Sequence, residues 1–169
     1  MNDSFILRDR IWREQNERVT LSSNATFASK SLGRYLDEEP DAFRTCFERD
    51  RDRIIHSKTF RRLKHKTQVF INPDGDHFIT RMTHTLNVTQ IGRSIAKTLG
   101  LNPDLTEAIC LGHDVGHSPF GHTGEDVLNE MLDGGWSHSE NSVRMLSVIE
   151  PLNLTKETIN GIEKHPWRY

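Results

Sequence analysis

A chain of 169 residues suits one domain, yet only 34% of it is apolar, about 40% with its eleven glycines counted, against ~45–50% for a typical globular domain. A thin core is expected, and with it burial against another copy or a chain that stops before its fold is complete. The formal net charge of −2 excludes a global nucleic-acid signature. With Cys46 and Cys110 isolated and no apolar run long enough for a signal peptide or membrane span, a reducing cytoplasm is the expected setting.

Residues 1–43 are polar and lack a sustained period, so they read as a loosely ordered arm unless packed on a partner. Within the arm, Arg10-Ile11-Trp12-Arg13 is a candidate docking segment. The folded part is expected over residues 44–169. It begins with nine basic residues (Arg44, Arg49, Arg51, Arg53, Lys58, Arg61, Arg62, Lys64, Lys66) against three acids (Glu48, Asp50, Asp52), a local +6. Ile54, Ile55, Phe60 and Leu63 supply an apolar face. The run reads equally as a solvated helix with internal ion pairs or as a cradle for a polyanion such as a triphosphate, whose oxygens guanidinium groups bind in bidentate fashion.

Val69-Phe70-Ile71 and Phe78-Ile79-Thr80 flank a Pro73-Asp74-Gly75 turn and predict a small β-hairpin. Arg81 to Leu99 then reads as a helix stopped by Gly100, with His84, Val88, Ile91, Ile95 and Leu99 on its inward stripe. Asn102 as N-cap, Pro103 at the first position and Asp104 in the first turn open the next helix, on which Leu105, Ile109 and His113 share a face. A connection this short makes the two helices antiparallel neighbours. The start of one, with His84, is thereby set beside the end of the other, with His113 and Asp114.

That end opens the densest chemistry in the chain, with three of its nine histidines and two carboxylates between His113 and Glu125. An adjacent His-Asp pair offers an imidazole nitrogen and a carboxylate oxygen to one divalent cation, a set that suits manganese, iron, or magnesium with its waters. Gly116, Pro119, Gly121 and Gly124 break any helix, so His117 and His122 fall on a tight connection beside this pair. A helix from Thr123 to Asp133 is expected to bury Val127, Leu128, Met131 and Leu132. A capping box, Ser137-x-x-Glu140, opens another helix through Ile149, and Thr155 to Lys164 forms the last, ended by Pro166.

Four stretches carry a family resemblance: Arg51-Asp52-Arg53-Ile54-Ile55-His56-Ser57-Lys58, Phe60-Arg61-Arg62-Leu63-Lys64-His65-Lys66-Thr67-Gln68-Val69-Phe70, Arg81-x-Thr83-His84-Thr85-Leu86, and His113-Asp114-Val115-Gly116-His117-Ser118-Pro119-Phe120-Gly121-His122. In this order and spacing the chain, from about Arg44 onward, resembles the deoxyguanosinetriphosphate triphosphohydrolase-like branch of the HD-domain superfamily. The resemblance implies an all-α HD-domain bundle that hydrolyses a deoxynucleoside triphosphate to the deoxynucleoside and inorganic triphosphate, usually as a homo-oligomer. It implies a divalent metal on His84, His113 and Asp114, with manganese or magnesium expected first and iron, cobalt or zinc as further candidates. His122 and Glu125 are similar in position to the family's catalytic histidine and acid, and His117 and His138 would sit near the phosphates. Arg62, Lys66 and Arg81 are the expected phosphate binders and Gln68 the expected contact to base or sugar, while Lys58 and Arg61 would serve subunit contacts.

The family completes its metal site with a second aspartate on a later helix, and no Asp follows Glu150 in this chain. The expectation is therefore the N-terminal part of an HD domain, truncated at its C-terminus, with activity impaired unless water, a neighbouring subunit or a residue such as Glu150 supplies the missing ligand. Two other readings stay open: a different HD phosphohydrolase, either nucleotidase or phosphodiesterase, and a non-catalytic chain binding nucleotide or single-stranded nucleic acid through the Arg44–Lys66 patch.

Overall fold

Eight α-helices organise residues 7–66 and 79–166, the residues described by the computed structural model, and no strand is present among them. Most helices open on a side chain that takes up an otherwise unpaired backbone N–H. α1 (Arg10–Thr20) starts on Asp9 and α2 (Cys46–His56) on Thr45. Thr45 Oγ1 accepts from the Glu48 amide at 3.3 Å while the Glu48 carboxylate accepts from the Thr45 amide at 2.8 Å, a reciprocal box. Ser57 caps α3 (Lys58–Arg61), which tightens into a 3₁₀ turn over Arg62–His65. α4 (Arg81–Thr98) starts on Thr80, and α5 (Pro103–Gly112) on Asn102, whose side chain accepts from the amides of Asp104 and Leu105. After α6 (Gly121–Met131), α7 (His138–Arg144) is capped by Ser137 and α8 (Lys156–Lys164) by Thr155.

α5 is the central helix, packed against α2, α4 and α8. Ala108, Leu111 and the following Val115 meet Ile54, Phe60, Leu63, Leu146, Leu154 and Ile162 in one apolar core. Burying side chains of this size is worth roughly 1.5–3 kcal/mol each. The core clamps the end of α5, where His113 and Asp114 follow.

Several expectations are corrected here. The inward face of α4 is Arg81, Thr85, Thr89, Gly92 and Ala96, whereas Ile91, Ile95 and Leu99 are exposed. Small residues win this face because they let α5 approach closely; a Cβ on Gly92 would stand 2.9 Å from Cys110 Sγ. The apolar residues expected inward on α6 behave alike, with Val127, Met131 and Leu132 exposed. The helix expected from Ser137 through Ile149 is α only to Arg144 and continues as a π turn over Met145–Ile149.

Residues 10–20 of the arm form a helix seated on the rest of the chain. Its Glu17 is buried yet satisfied, accepting from the Ala28 amide at 2.7 Å and from Asn102 Nδ2 at 3.0 Å. Further along, Arg34 pairs antiparallel with Thr155 and its guanidinium meets the fully buried Asp50. The other oxygen of Asp50 accepts from the Thr155 amide at 2.8 Å and hydroxyl at 2.6 Å. These polar clasps order the arm without an apolar period, which is why the sequence pattern did not show it. The expected hairpin around Pro73-Asp74-Gly75 and the expected base or sugar contact Gln68 lie outside the described residues.

Candidate functional site

The antiparallel pairing of α4 and α5 brings His84 to His113, their rings 6.0 Å apart, and one ligand atom from each of His84, His113 and Asp114 lies within 4.8 Å of the others. Backbone and side-chain partners orient the set. His113 Nδ1 lies 2.7 Å from the Cys110 carbonyl, so it carries the hydrogen and Nε2 presents its lone pair. Arg81 donates to Asp114 Oδ2 at 2.8 Å, which leaves Oδ1 facing His113 Nε2 at 3.5 Å. Burial by itself would raise the Asp114 carboxyl, but the charges of His113, Arg81 and His117 hold it below its usual value. Burial pushes His84 down, favouring the neutral ring. Two imidazoles and one ionised carboxylate with converging free atoms fit a divalent cation.

A second group forms on the turn after α5. Gly116 passes so close to α7 that a Cβ would stand 2.1 Å from the Ser142 amide nitrogen. Ser142 Oγ receives the Gly116 N–H at 2.9 Å and donates to the His113 carbonyl at 2.9 Å, and Asn141 Nδ2 donates to the Gly116 carbonyl at 2.6 Å. Phe120 then adopts φ 66°, an uncommon conformation for a residue with a side chain, and turns the chain into α6. This path folds His117 inward and leaves His122 at the surface, 78% exposed at the side chain.

Glu125, one turn into α6, ties the group together. It lies 3.2 Å from His122 Nδ1, and both its oxygens lie 2.9 Å from His138 Nδ1 while one accepts the His138 amide. Burial would raise its carboxyl, but the His138 bonds hold it low. His117 stacks on His138 with ring centres 4.7 Å apart. It is almost fully buried, and neither ring nitrogen has a hydrogen-bond partner among the described residues. Desolvation and the nearby Arg81 charge press its pKa down to about 4, so it is neutral at pH 7.

The expected phosphate binders are placed unevenly. Arg81 is buried against Asp114, with its Nε unpartnered among the described residues. Lys66 donates to the carbonyls of Val115 and His117 at 3.1 and 2.8 Å, and burial lowers its pKa to about 8. Arg62 is exposed. Glu150, considered as a spare metal ligand, instead caps α3 by accepting from the amides of Lys58 and Thr59. Four of the nine basic residues of the run are spent on ion pairs: Arg44 with Asp41 and Asp52, Arg49 and Arg53 with Glu38, Arg51 with Asp52.

Sequence reasoning missed His165. From the end of α8 its Nε2 lies 3.0 Å from His138 Nε2, and its ring stands edge-on to His113 at 5.1 Å. Its one signal is its place in Lys164-His165-Pro166, a polar residue held at a helix end by the following proline.

The sequence model of the HD domain matches residues 81–168, just over half of the chain and the part that holds every residue of both groups. The chain is 59% identical over 156 residues to the deoxyguanosinetriphosphate triphosphohydrolase-like protein of Caldanaerobacter subterraneus subsp. tengcongensis, covering 90% of this chain and 46% of that protein. It is 54% identical over 167 residues to the protein of the same name from Clostridium tetani, covering 96% and 47%, and 57% identical over 156 residues to that of Clostridium perfringens, covering 90% and 46%. The chain thus spans a little under half the length of the curated relatives it matches. A matched domain model and a convergent His84, His113 and Asp114 agree: this chain belongs to the HD-domain family.

Proposed function

We propose that this chain carries the metal-holding and proton-transfer groups of a phosphohydrolase that cleaves a deoxynucleoside triphosphate, of the dGTP kind, into deoxynucleoside and inorganic triphosphate. The observation that carries the reading is a pair of groups with converging donor atoms, His84, His113 and Asp114 in one and His117, His122, Glu125 and His138 in the other, the second tied together by the Glu125 hydrogen bonds and reaching the first through His165. The names of the relatives supply the substrate class.

A divalent ion held by the first set, with manganese or magnesium the leading candidates, supplies positive charge that polarises a phosphoryl group and makes water easier to ionise. Arg81 keeps Asp114 ionised and aimed, and the Cys110 carbonyl keeps His113 in the tautomer that presents Nε2. Glu125 orients His122 and His138 for proton transfer to or from the reacting oxygen. His117, neutral and without partners for either nitrogen among the described residues, is suited to meet a phosphate oxygen with its single N–H. Lys66 keeps one ammonium hydrogen beyond the two given to backbone carbonyls, and Arg62 is exposed beside it in sequence; both are suited to the outer phosphates.

Product analysis tests the reading. The chain is incubated with dGTP and manganese, and the products are separated by anion exchange. Deoxyguanosine with inorganic triphosphate is the expected pair. Monophosphate or pyrophosphate would move the assignment to another HD phosphohydrolase, and binding without turnover would make the chain a nucleotide-binding one.

A further inference from the structure

His165 belongs to neither set of site residues described above, yet it is the side chain that touches both. α8 delivers it by a rigid route. Thr155, at the start of α8, is bonded to the fully buried Asp50. Ile162, one turn before the end, is fully buried in the core beside Gly112. The last residue of this path therefore has little freedom. The ring is half-buried, with its edge on His113 and its Nε2 on His138.

Hydrogen counting fixes its tautomer. His165 Nδ1 lies 2.7 Å from the Ile162 carbonyl, which can only accept, so Nδ1 carries the hydrogen. In the neutral ring Nε2 is then a bare lone pair. At 3.0 Å from His138 Nε2 it calls for a hydrogen on the His138 side, and the Glu125 carboxylate calls for another on His138 Nδ1. Without His165, nothing among the described residues would specify which way the far nitrogen of His138 is used.

We infer that His165 is a positioning residue that fixes the ring orientation and hydrogen placement of His138 against Glu125, joining the two halves of the site. The inference rests on the proposed role of Glu125 and His138 for its catalytic consequence but not for its structural one. By analogy with other partners that orient a functional histidine, its loss should lower kcat by roughly 10–100-fold with KM little changed.

Two readouts test it on the whole chain. Long-range proton–nitrogen spectra of labelled protein report which His138 nitrogen holds hydrogen, with no substrate present. His165→Phe, which keeps a ring but no acceptor, should shift the His138 Nε2 signal and leave the thermal midpoint near that of the parent chain. His165→Gln, which can turn its carbonyl oxygen toward His138, should restore much of the signal and of kcat. An unchanged His138 signal in His165→Phe would overturn the inference, whether or not the chain turns over dGTP. A fall in kcat that His165→Gln does not relieve, with an unchanged spectrum, would assign His165 a purely structural place.

Discussion

The basic run Arg44–Lys66 and the histidine turn His113–Glu125 look equally rich in chemistry as strings of residues, but apart from Lys66, which reaches the turn, folding uses them differently. Arg44, Arg49, Arg51 and Arg53 each find a carboxylate, several from distant segments such as Glu38 and Glu107. Their charge is spent on holding α2 to the arm and, through Arg51, to α5, and Asp41 beside Arg44 is correspondingly held well below the usual carboxylate range by the Arg44 bonds. In the histidine turn the free valences remain: Asp114 Oδ1, His113 Nε2 and both nitrogens of His117. Density of charge does not make a site. Donor and acceptor atoms left over after folding do, because a buried polar atom without a partner costs about 1–3 kcal/mol that a ligand can recover.

The sharpest way to break this contrast is Glu125. In an active context, Glu125→Ala and His122→Ala should each lower kcat by ~10²–10⁴, and the double substitution should be little worse than either, because the carboxylate and the ring act as one unit. Additive losses would separate their roles. On the other side of the contrast, Asp50→Ala should cost about 3–5 kcal/mol of stability by removing a fully buried carboxylate from Arg34, which keeps Glu38, and from the Thr155 amide and hydroxyl, read as a shift in the denaturant midpoint. Metal affinity of the folded fraction should stay as it was.

His117 gives a pH signature. In the metal-free chain its folded pKa is about 4 against an ordinary 6.5, so between these values the unfolded state holds more protons and acid favours unfolding. Stability should therefore be full above pH 6.5 and fall by on the order of 3 kcal/mol as the pH drops to about 4. His117→Gln should make that fall shallower in urea titrations, the remainder coming from His84 and His165, which burial also lowers, while the carboxylates Asp114 and Glu125, whose pKa values are lowered, add their loss at the acid end of the window and below. The smallest effect is expected in the basic run. Arg44→Ala, an exposed pair, should change stability by no more than ~0.2–1 kcal/mol and leave nucleotide affinity unchanged in calorimetry.

How much of this was readable beforehand follows the same division. The meeting of His84 with His113 and Asp114 was legible because the short connection after α4, with Asn102 and Pro103 opening α5, dictates an antiparallel pair, whatever faces the helices bury. Which face α4 buries was not, since Thr85, Thr89, Gly92 and Ala96 are chosen for closeness to α5, and apolar periodicity points to the opposite side. The Arg34, Asp50 and Thr155 clasp and the approach of His165 join residues more than a hundred positions apart or at opposite ends of helices. No local spacing encodes them.

The central claim, that His84, His113 and Asp114 are the unspent donors that hold a cation, is tested most directly by manganese titration followed by electron paramagnetic resonance, in which bound manganese loses the signal of the free ion. One equivalent should bind to the 169-residue chain, Asp114→Ala should abolish that binding, Arg81→Ala should weaken it by roughly 10–100-fold, and Arg44→Ala should leave it untouched. Binding that survives Asp114→Ala, or that disappears with His117→Ala in its place, would contradict the account.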